Sequence, residues 1–144
     1  MEQQQIAVKV LRQTGAGYYT EITAIEAPAS AIAGSLVQIK VTIKNKYSSV
    51  ISIMVAGALE YGVSPRPAIS FPNYWANVEA GASHSFNGSF NMPSHSVTIY
   101  AFSYYYYYYG FDSSWHTDDE RTKNVSLSEL QTQFQSLSAS YAKV

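Results

Sequence analysis

The 144-residue chain sets nine Lys plus Arg against ten Asp plus Glu, a net charge of −1, and has no cysteine. That balance excludes the one-sided positive field of general nucleic-acid binding, and the missing thiols exclude disulfide scaffolds, Cys-ligated zinc and thiol catalysis. The length suits one ordinary domain, and with 13% charged against 15% aromatic residues, thirteen of them Tyr, the surface must be largely uncharged polar or aromatic.

Met1 leads into Glu2 and three glutamines without the basic start and apolar block of an export signal. The longest apolar windows fall short of the roughly 20 residues that span a bilayer. The expectation is a protein without signal peptide or membrane segment. Ile6, Val8 and Val10 alternate with Ala7 and Lys9 and predict a first strand. Residues 14–17 turn, and residues 19–27 carry Ile22 and Ile25 at a spacing too irregular for a full-length strand. The clearest strand follows: Val37, Ile39, Val41 and Ile43 interleave with Gln38, Lys40, Thr42 and Lys44, one face on a core and one wet. Residues 45–49 predict a turn into residues 50–56, rich in β-branched side chains and expected to pair antiparallel with that strand.

From 57 to 77 the pattern breaks, because Pro65, Pro67 and Pro72 cannot donate to a ladder and Tyr61, Phe71, Tyr74 and Trp75 crowd between them. This reads as a long ordered loop with one short edge strand. His84, Phe86, Gly88 and Phe90 alternate with Ser83, Ser85, Asn87 and Ser89 as another one-sided strand; residues 97–106 and 115–125 supply two more. In the tail the period changes. Leu127, Leu130, Phe134, Leu137 and Tyr141 are spaced 3, 4, 3, 4, and Ser126 followed by Glu129 fits a capping box, so residues 127–144 are expected to form an amphipathic helix of about four turns that docks on the sandwich. Short strands separated by turns and closed by one helix predict a β-sandwich over 1–126 with an appended α-helix.

The run Tyr104, Tyr105, Tyr106, Tyr107, Tyr108 and Tyr109 is the most unusual feature. On a strand it places phenol rings on both sides of the sheet, and one side must meet a partner, a covering loop or water. With Trp115, Tyr74 and Trp75 these tyrosines are the candidate interface, weighed against aromatic packing inside the sandwich. The same indoles suit stacking on sugar rings, with burial in the core as the preferred alternative. Asp112, Asp118, Asp119 and Glu120 are weak candidates for calcium oxygens, lacking EF-hand spacing; a solvated, partly paired face beside Arg121 and Lys123 is preferred. His84, His95 and His116 have no metal-ligand spacing, and His84, in phase with Phe86, reads as a core-edge histidine. No nucleophile elbow or phosphate loop is present, so neither enzyme activity nor a cofactor is expected.

Glu26-Ala27-Pro28-Ala29-Ser30-Ala31-Ile32-Ala33-Gly34, followed by Val37-Gln38-Ile39-Lys40-Val41-Thr42-Ile43-Lys44-Asn45, resembles the opening of CARDB-type and related immunoglobulin-like modules. Val78-Glu79-Ala80-Gly81 and the strands at 86–93 and 97–102 are similar to the second half of such a module, and the resemblance spans about residues 22–127. It implies an immunoglobulin-like antiparallel β-sandwich of seven or eight strands. It also implies a non-catalytic adhesion or spacer domain, or a decoration of phage capsids and tails. A module that starts at Met1 without an export signal suits a virion component assembled in the host cytoplasm, binding copies of itself or other virion structural proteins through aromatic surfaces. A carbohydrate- or cell-surface-binding module is the alternative, with glycans as the ligand.

Overall fold

The structure, a computed structural model, describes residues 17–106 and 114–128. The expected strand at 6–10, Tyr107, Tyr108, Tyr109, Asp112, and the helix residues Leu130, Phe134, Leu137 and Tyr141 lie outside the described residues. The eight strands described are β1 (Thr20–Glu26), β2 (Ser30–Ala31), β3 (Leu36–Asn45), β4 (Ile51–Glu60), β5 (Trp75–Val78), β6 (Ser83–Asn91), β7 (Val97–Tyr106) and β8 (His116–Leu127). They form a three-stranded sheet in the order β1-β3-β6 and a five-stranded sheet in the order β2-β8-β7-β4-β5. The pairings are antiparallel except β2 with β8, which is parallel, so the arrangement is mixed rather than purely antiparallel. β8 continues through Ser126 and Leu127, so the expected capping residue and first helical residue belong to a strand; β2 draws them in, with Ser30 opposite Ser126 and Ala31 opposite Leu127.

The core lies between the sheets. Val37, Ile39, Val41 and Ile43 of β3 and Ile51, Ile53, Val55 and Leu59 of β4 are buried, as are Phe86, Val97, Ile99 and Val125. The expected pairing of β3 with β4 does not occur: β3 pairs with β1 and β6, and β4 with β5 and β7. The reason is in the linker. Residues 46–50 cross from one sheet to the other, so the apolar faces of β3 and β4 meet across the core instead of lying side by side. Asn45, fully buried, pins that corner: its amide donates to the Ser49 and Val78 carbonyls, both at 2.9 Å, and its side-chain oxygen accepts from the Tyr47 N–H at 2.7 Å.

The irregular spacing of Ile22 and Ile25 is a bulge. β1 shifts register against β3 between Ile22 and Ala24, and the extra residue turns both isoleucines inward within one strand. The proline-rich stretch contains the end of β4, then a loop, then β5 on the sheet edge. Its loop also closes one side of the sandwich, for Ala68 bridges Ala58 of β4 while Ser70 bridges Ser89 of β6 in the other sheet. Between those bridges and β5, Phe71 fills space left by two inward-facing glycines. A Cβ on Gly88 would lie 2.5 Å from the Phe71 ring, and one on Gly57 3.1 Å from it.

Truncating Phe71 opens a cavity at that closure that neither strand can collapse into. Phe71→Ala is expected to lose about 3–5 kcal/mol of unfolding free energy in urea titrations, the usual cost of removing a buried phenyl ring.

Candidate functional site

β7 sorts the tyrosine run by parity. Val97, Ile99, Ala101 and Ser103 are buried, so Tyr100, Phe102, Tyr104 and Tyr106 line the outer face of the five-stranded sheet. Tyr105 turns inward, where its ring packs 4.6 Å from Tyr19 and 5.2 Å from His116 against the core margin. Within the candidate interface, Tyr105 is therefore an internal packing residue. Across the outer face Tyr104 is level with Met54, which is level with Trp75, and Tyr106 is level with Ser52, which is level with Asn77.

One end of this face is covered and the other open. At the Tyr100 end the Arg66 guanidinium lies 4.3 Å over the phenol ring and also reaches Glu60. At the Tyr106 end Ser52, Tyr74, Trp75, Tyr106 and Trp115 line a shallow cavity of about 310 Å3. Tyr74 is 49% exposed, Trp75 50% and Trp115 36%, so these rings are not the core of the sandwich. The Tyr106 and Trp115 rings are 5.7 Å apart and tilted by 52°. Among the described residues no charged side chain lines the cavity. Ser52, buried beneath the rings, donates to the Asn77 side-chain oxygen at 2.6 Å and gives the cavity a polar floor.

Trp115 reaches this face because of a second bulge. β7 and β8 shift register between Ser103 and Tyr104: Ser103 faces Asp119, but Tyr104 faces Thr117, which leaves Asp118 as the extra residue. In an unbulged strand adjacent residues point to opposite faces. Here Asp118 and Asp119 both turn inward, 2% and 1% exposed, and every residue before them changes phase, bringing Trp115 level with Tyr106.

The two carboxylates are a structural clamp. Asp118 accepts from the backbone N–H groups of Tyr18 (2.9 Å), Tyr19 (3.1 Å) and Thr20 (2.6 Å) and from the Thr20 hydroxyl (2.6 Å). Asp119 accepts from the N–H groups of Ile22 and Glu120, both at 2.8 Å. The proton order closes: the Asp119 N–H donates to the Ser103 hydroxyl, which donates to Thr20, which donates to Asp118. Gly17 has no room for a side chain against Asp118. The expectation of a solvated acidic face is thus overturned for Asp118 and Asp119, while Glu120 is exposed on the opposite face. These three do not converge as calcium ligands, and among the described residues no group of three or more His, Asp or Glu could hold a metal ion.

Burial pushes the Asp119 carboxyl above the ordinary aspartate value, against the lowering effect of its backbone donors and Arg121; the neighbouring Asp118 charge adds to the rise. The histidines stay apart. His84 is exposed at the strand end with its ring 4.7 Å from Phe86, His95 lies 5.9 Å from Tyr61, and His116 stacks on Tyr105. The paired aspartates, Gly17 and the Phe71 closure escaped the sequence reading; two adjacent acids interrupting an alternating strand are the signal that marks the bulge.

No protein-family model matches the chain, and no curated protein matches it. Among solved structures it is similar to the CARDB domain of a Pyrococcus furiosus protein in complex with di-metal ions (TM-score 0.52, 12% identity, 77% of this chain and 90% of that one). It is also similar to a β-glucosidase from Listeria innocua in complex with glucose (TM-score 0.54, 13% identity, 76% of this chain). A third likeness is to the alkylpurine DNA glycosylase of Pseudomonas fluorescens bound to DNA containing an abasic-site analogue (TM-score 0.54, 10% identity, 84% of this chain). The chain spans 16% of the glucosidase and 32% of the glycosylase. At these identities the likeness is one of fold: an immunoglobulin-like β-sandwich module.

Replacing Asp118 by Ala strands the buried N–H and hydroxyl of Thr20 and leaves the half-buried N–H groups of Tyr18 and Tyr19 without their acceptor, and is expected to lose about 3–5 kcal/mol in chemical denaturation. Asp119 gives a pH signature of defined sign. Its folded pKa is raised, so the stability it contributes is fully present below the unfolded aspartate pKa and is lost as pH rises through the folded value. The unfolding free energy of Asp119→Asn minus that of the parent should therefore increase across that window, and a difference flat with pH would contradict the assignment.

Proposed function

We propose that this chain is a non-enzymatic interaction module that assembles with copies of itself or with a larger structural lattice by burying the open end of its aromatic sheet face. The observation that carries the reading is the cluster of Tyr74, Trp75, Tyr106 and Trp115 around an uncharged cavity, with three of the rings more than a third exposed. Exposed aromatic rings of this kind are the side chains on which protein interfaces concentrate their binding energy. A seat in a virion, as a capsid decoration or tail accessory protein, is the finer form of this proposal. It rests on the sequence resemblance alone, and neighbouring genes for capsid, portal or tail proteins would test it.

A second reading is favoured by the concavity of the site. Indole and phenol rings around a hollow with a hydroxyl floor, and no charged side chain among the described residues, suit the apolar face of a sugar ring, and the volume is at the lower end for small-ligand pockets.

The two are separated by mass measurement in solution. Assembly through these rings predicts a multimer of the 15.9 kDa chain whose mass falls when Trp75→Ala is combined with Trp115→Ala, with the fold intact. A monomeric parent whose tryptophan emission shifts on titration with neutral oligosaccharides would instead establish the sugar reading.

A further inference from the structure

A sheet edge offers unpaired N–H and C=O groups to any passing strand, and proteins blunt their edges with charge, proline, bulges or cover. Three of the four edges described here are managed in this way. β1 gives the N–H groups of its N-terminal approach to Asp118 and Asp119. β2 has two residues and leaves the rest of the β8 edge to its own acidic and basic side chains, and β5 has four and follows Pro72 closely.

The fourth edge is β6. It runs for nine residues, Ser83–Asn91, without a Lys, Arg, Asp, Glu or Pro and pairs with β3 in unbroken register. Ser89 shows which residues face the edge, because its N–H and C=O both bond Ser70 outside the sheet, at 2.9 and 3.0 Å respectively. By alternation Ser83, Ser85 and Asn87 send their backbone groups to the same side. Among the described residues no backbone group meets them there. Their side chains stand on the exposed face of the sheet, and the Ser85 hydroxyl bonds back to Thr42 at 2.9 Å, away from the edge.

We propose that the β6 edge pairs with the β6 edge of a second copy of this chain, joining two three-stranded sheets across a two-fold axis. A two-fold axis normal to the sheet makes such a pair antiparallel and self-complementary. Centred on Ser85, it sets Ser85 opposite its own copy and Ser83 opposite Asn87, exchanging the outward backbone groups of all three. Small uncharged side chains meet at the three outward positions, and between them His84 falls opposite Phe86 of the other copy. The nearest cations, Lys40 and Lys44, stand one strand back on β3, beside Asn87 and Ser83. Lys44 therefore lies three strand spacings, about 14 Å, from Lys40 of the other copy, beyond the roughly 8 Å screening length of physiological salt. Nothing on this edge repels its own copy. A contact this short falls below the roughly 1,000 Å2 of a permanent interface, so the pairing is concentration-dependent. It uses the sheet opposite the aromatic face and does not rest on that face being an interface. Together the two contacts would propagate a lattice.

The test is the mass of the chain in solution over a concentration series, with backbone amide exchange of Ser85 and Asn87 read in parallel. The expected result is a monomer–dimer equilibrium in which these amides slow as the dimer forms. Ser85→Lys should abolish the dimer by placing like charges face to face, and Ser85→Pro by removing the outward donor. Both should leave the thermal midpoint of the monomer close to that of the parent, and Ser85→Lys guards against a folding defect caused by proline. A parent that stays monomeric throughout overturns the proposal, as does a dimer that survives both changes. Amide protection independent of concentration does the same, by placing a strand of the same chain on the edge. If the dimer survives Trp75→Ala with Trp115→Ala but not Ser85→Lys, the strand pairing stands and the aromatic reading fails; the reverse pattern retains the aromatic reading and removes this one.

Discussion

The extra residue in β8 is the constraint on which the rest of the molecule depends. By inserting Asp118 opposite the step from Ser103 to Tyr104, the chain turns two consecutive carboxylates inward and reverses the phase of everything before them. The inward consequence is a cross-sheet tie, because Asp118 and Asp119 belong to the five-stranded sheet and all their donors but Glu120 are the approach to β1 and β1 itself in the three-stranded sheet. The outward consequence is that Trp115 stands beside Tyr106 instead of facing the interior. One local irregularity therefore both closes the sandwich and assembles its aromatic face.

Desolvating two adjacent carboxylates is expensive, and hydrogen bonding decides whether a fold tolerates it. Among the described residues Asp118 receives four donors and Asp119 two, and no buried side-chain nitrogen or oxygen lacks a partner. Burial raises the Asp119 pKa against the lowering pull of its backbone donors. Thr20 and Ile22 would otherwise offer open donors along β1, so the clamp occupies the N-terminal half of that edge while tying the sheets. On the far side Phe71 performs the corresponding closure by packing, through the space that Gly57 and Gly88 leave. With both sides filled, the large rings left over at the Tyr106 end have no interior to enter.

The sequence made β3, β6 and β7 legible because each has one wet face and one buried face, which writes a clean period of two. The edge strand in the proline-rich stretch was legible too, since prolines confine such a segment to an edge. What failed were features that depend on distant partners. β1 looked irregular because its bulge offsets Ile22 and Ile25 by three. The pairing of β3 with β4 was misread because alternation says which face is buried but not which sheet covers it. Asp118 and Asp119 resembled a surface pair because acidic residues are seldom buried, and only the donors from Tyr18 to Ile22, nearly a hundred positions away, make burial tolerable. Ser126 and Leu127 carried a helical signal that β2 overrides. Of the candidate interface, the outward rings Tyr104, Tyr106 and Trp115 are brought near Tyr74 and Trp75, whereas Tyr105 followed strand parity into the core margin.

Trp75 and Trp115 are the chain's two tryptophans, so indole emission, excited beyond the tyrosine absorption band, reports on the aromatic face alone. Iodide quenching followed across protein concentration asks whether those indoles lie outside the sandwich's own interior and whether another copy then covers them. Strong quenching in dilute solution that diminishes as the protein is concentrated is the predicted result. Indoles shielded at every dilution, or equally open at every concentration, would contradict the account.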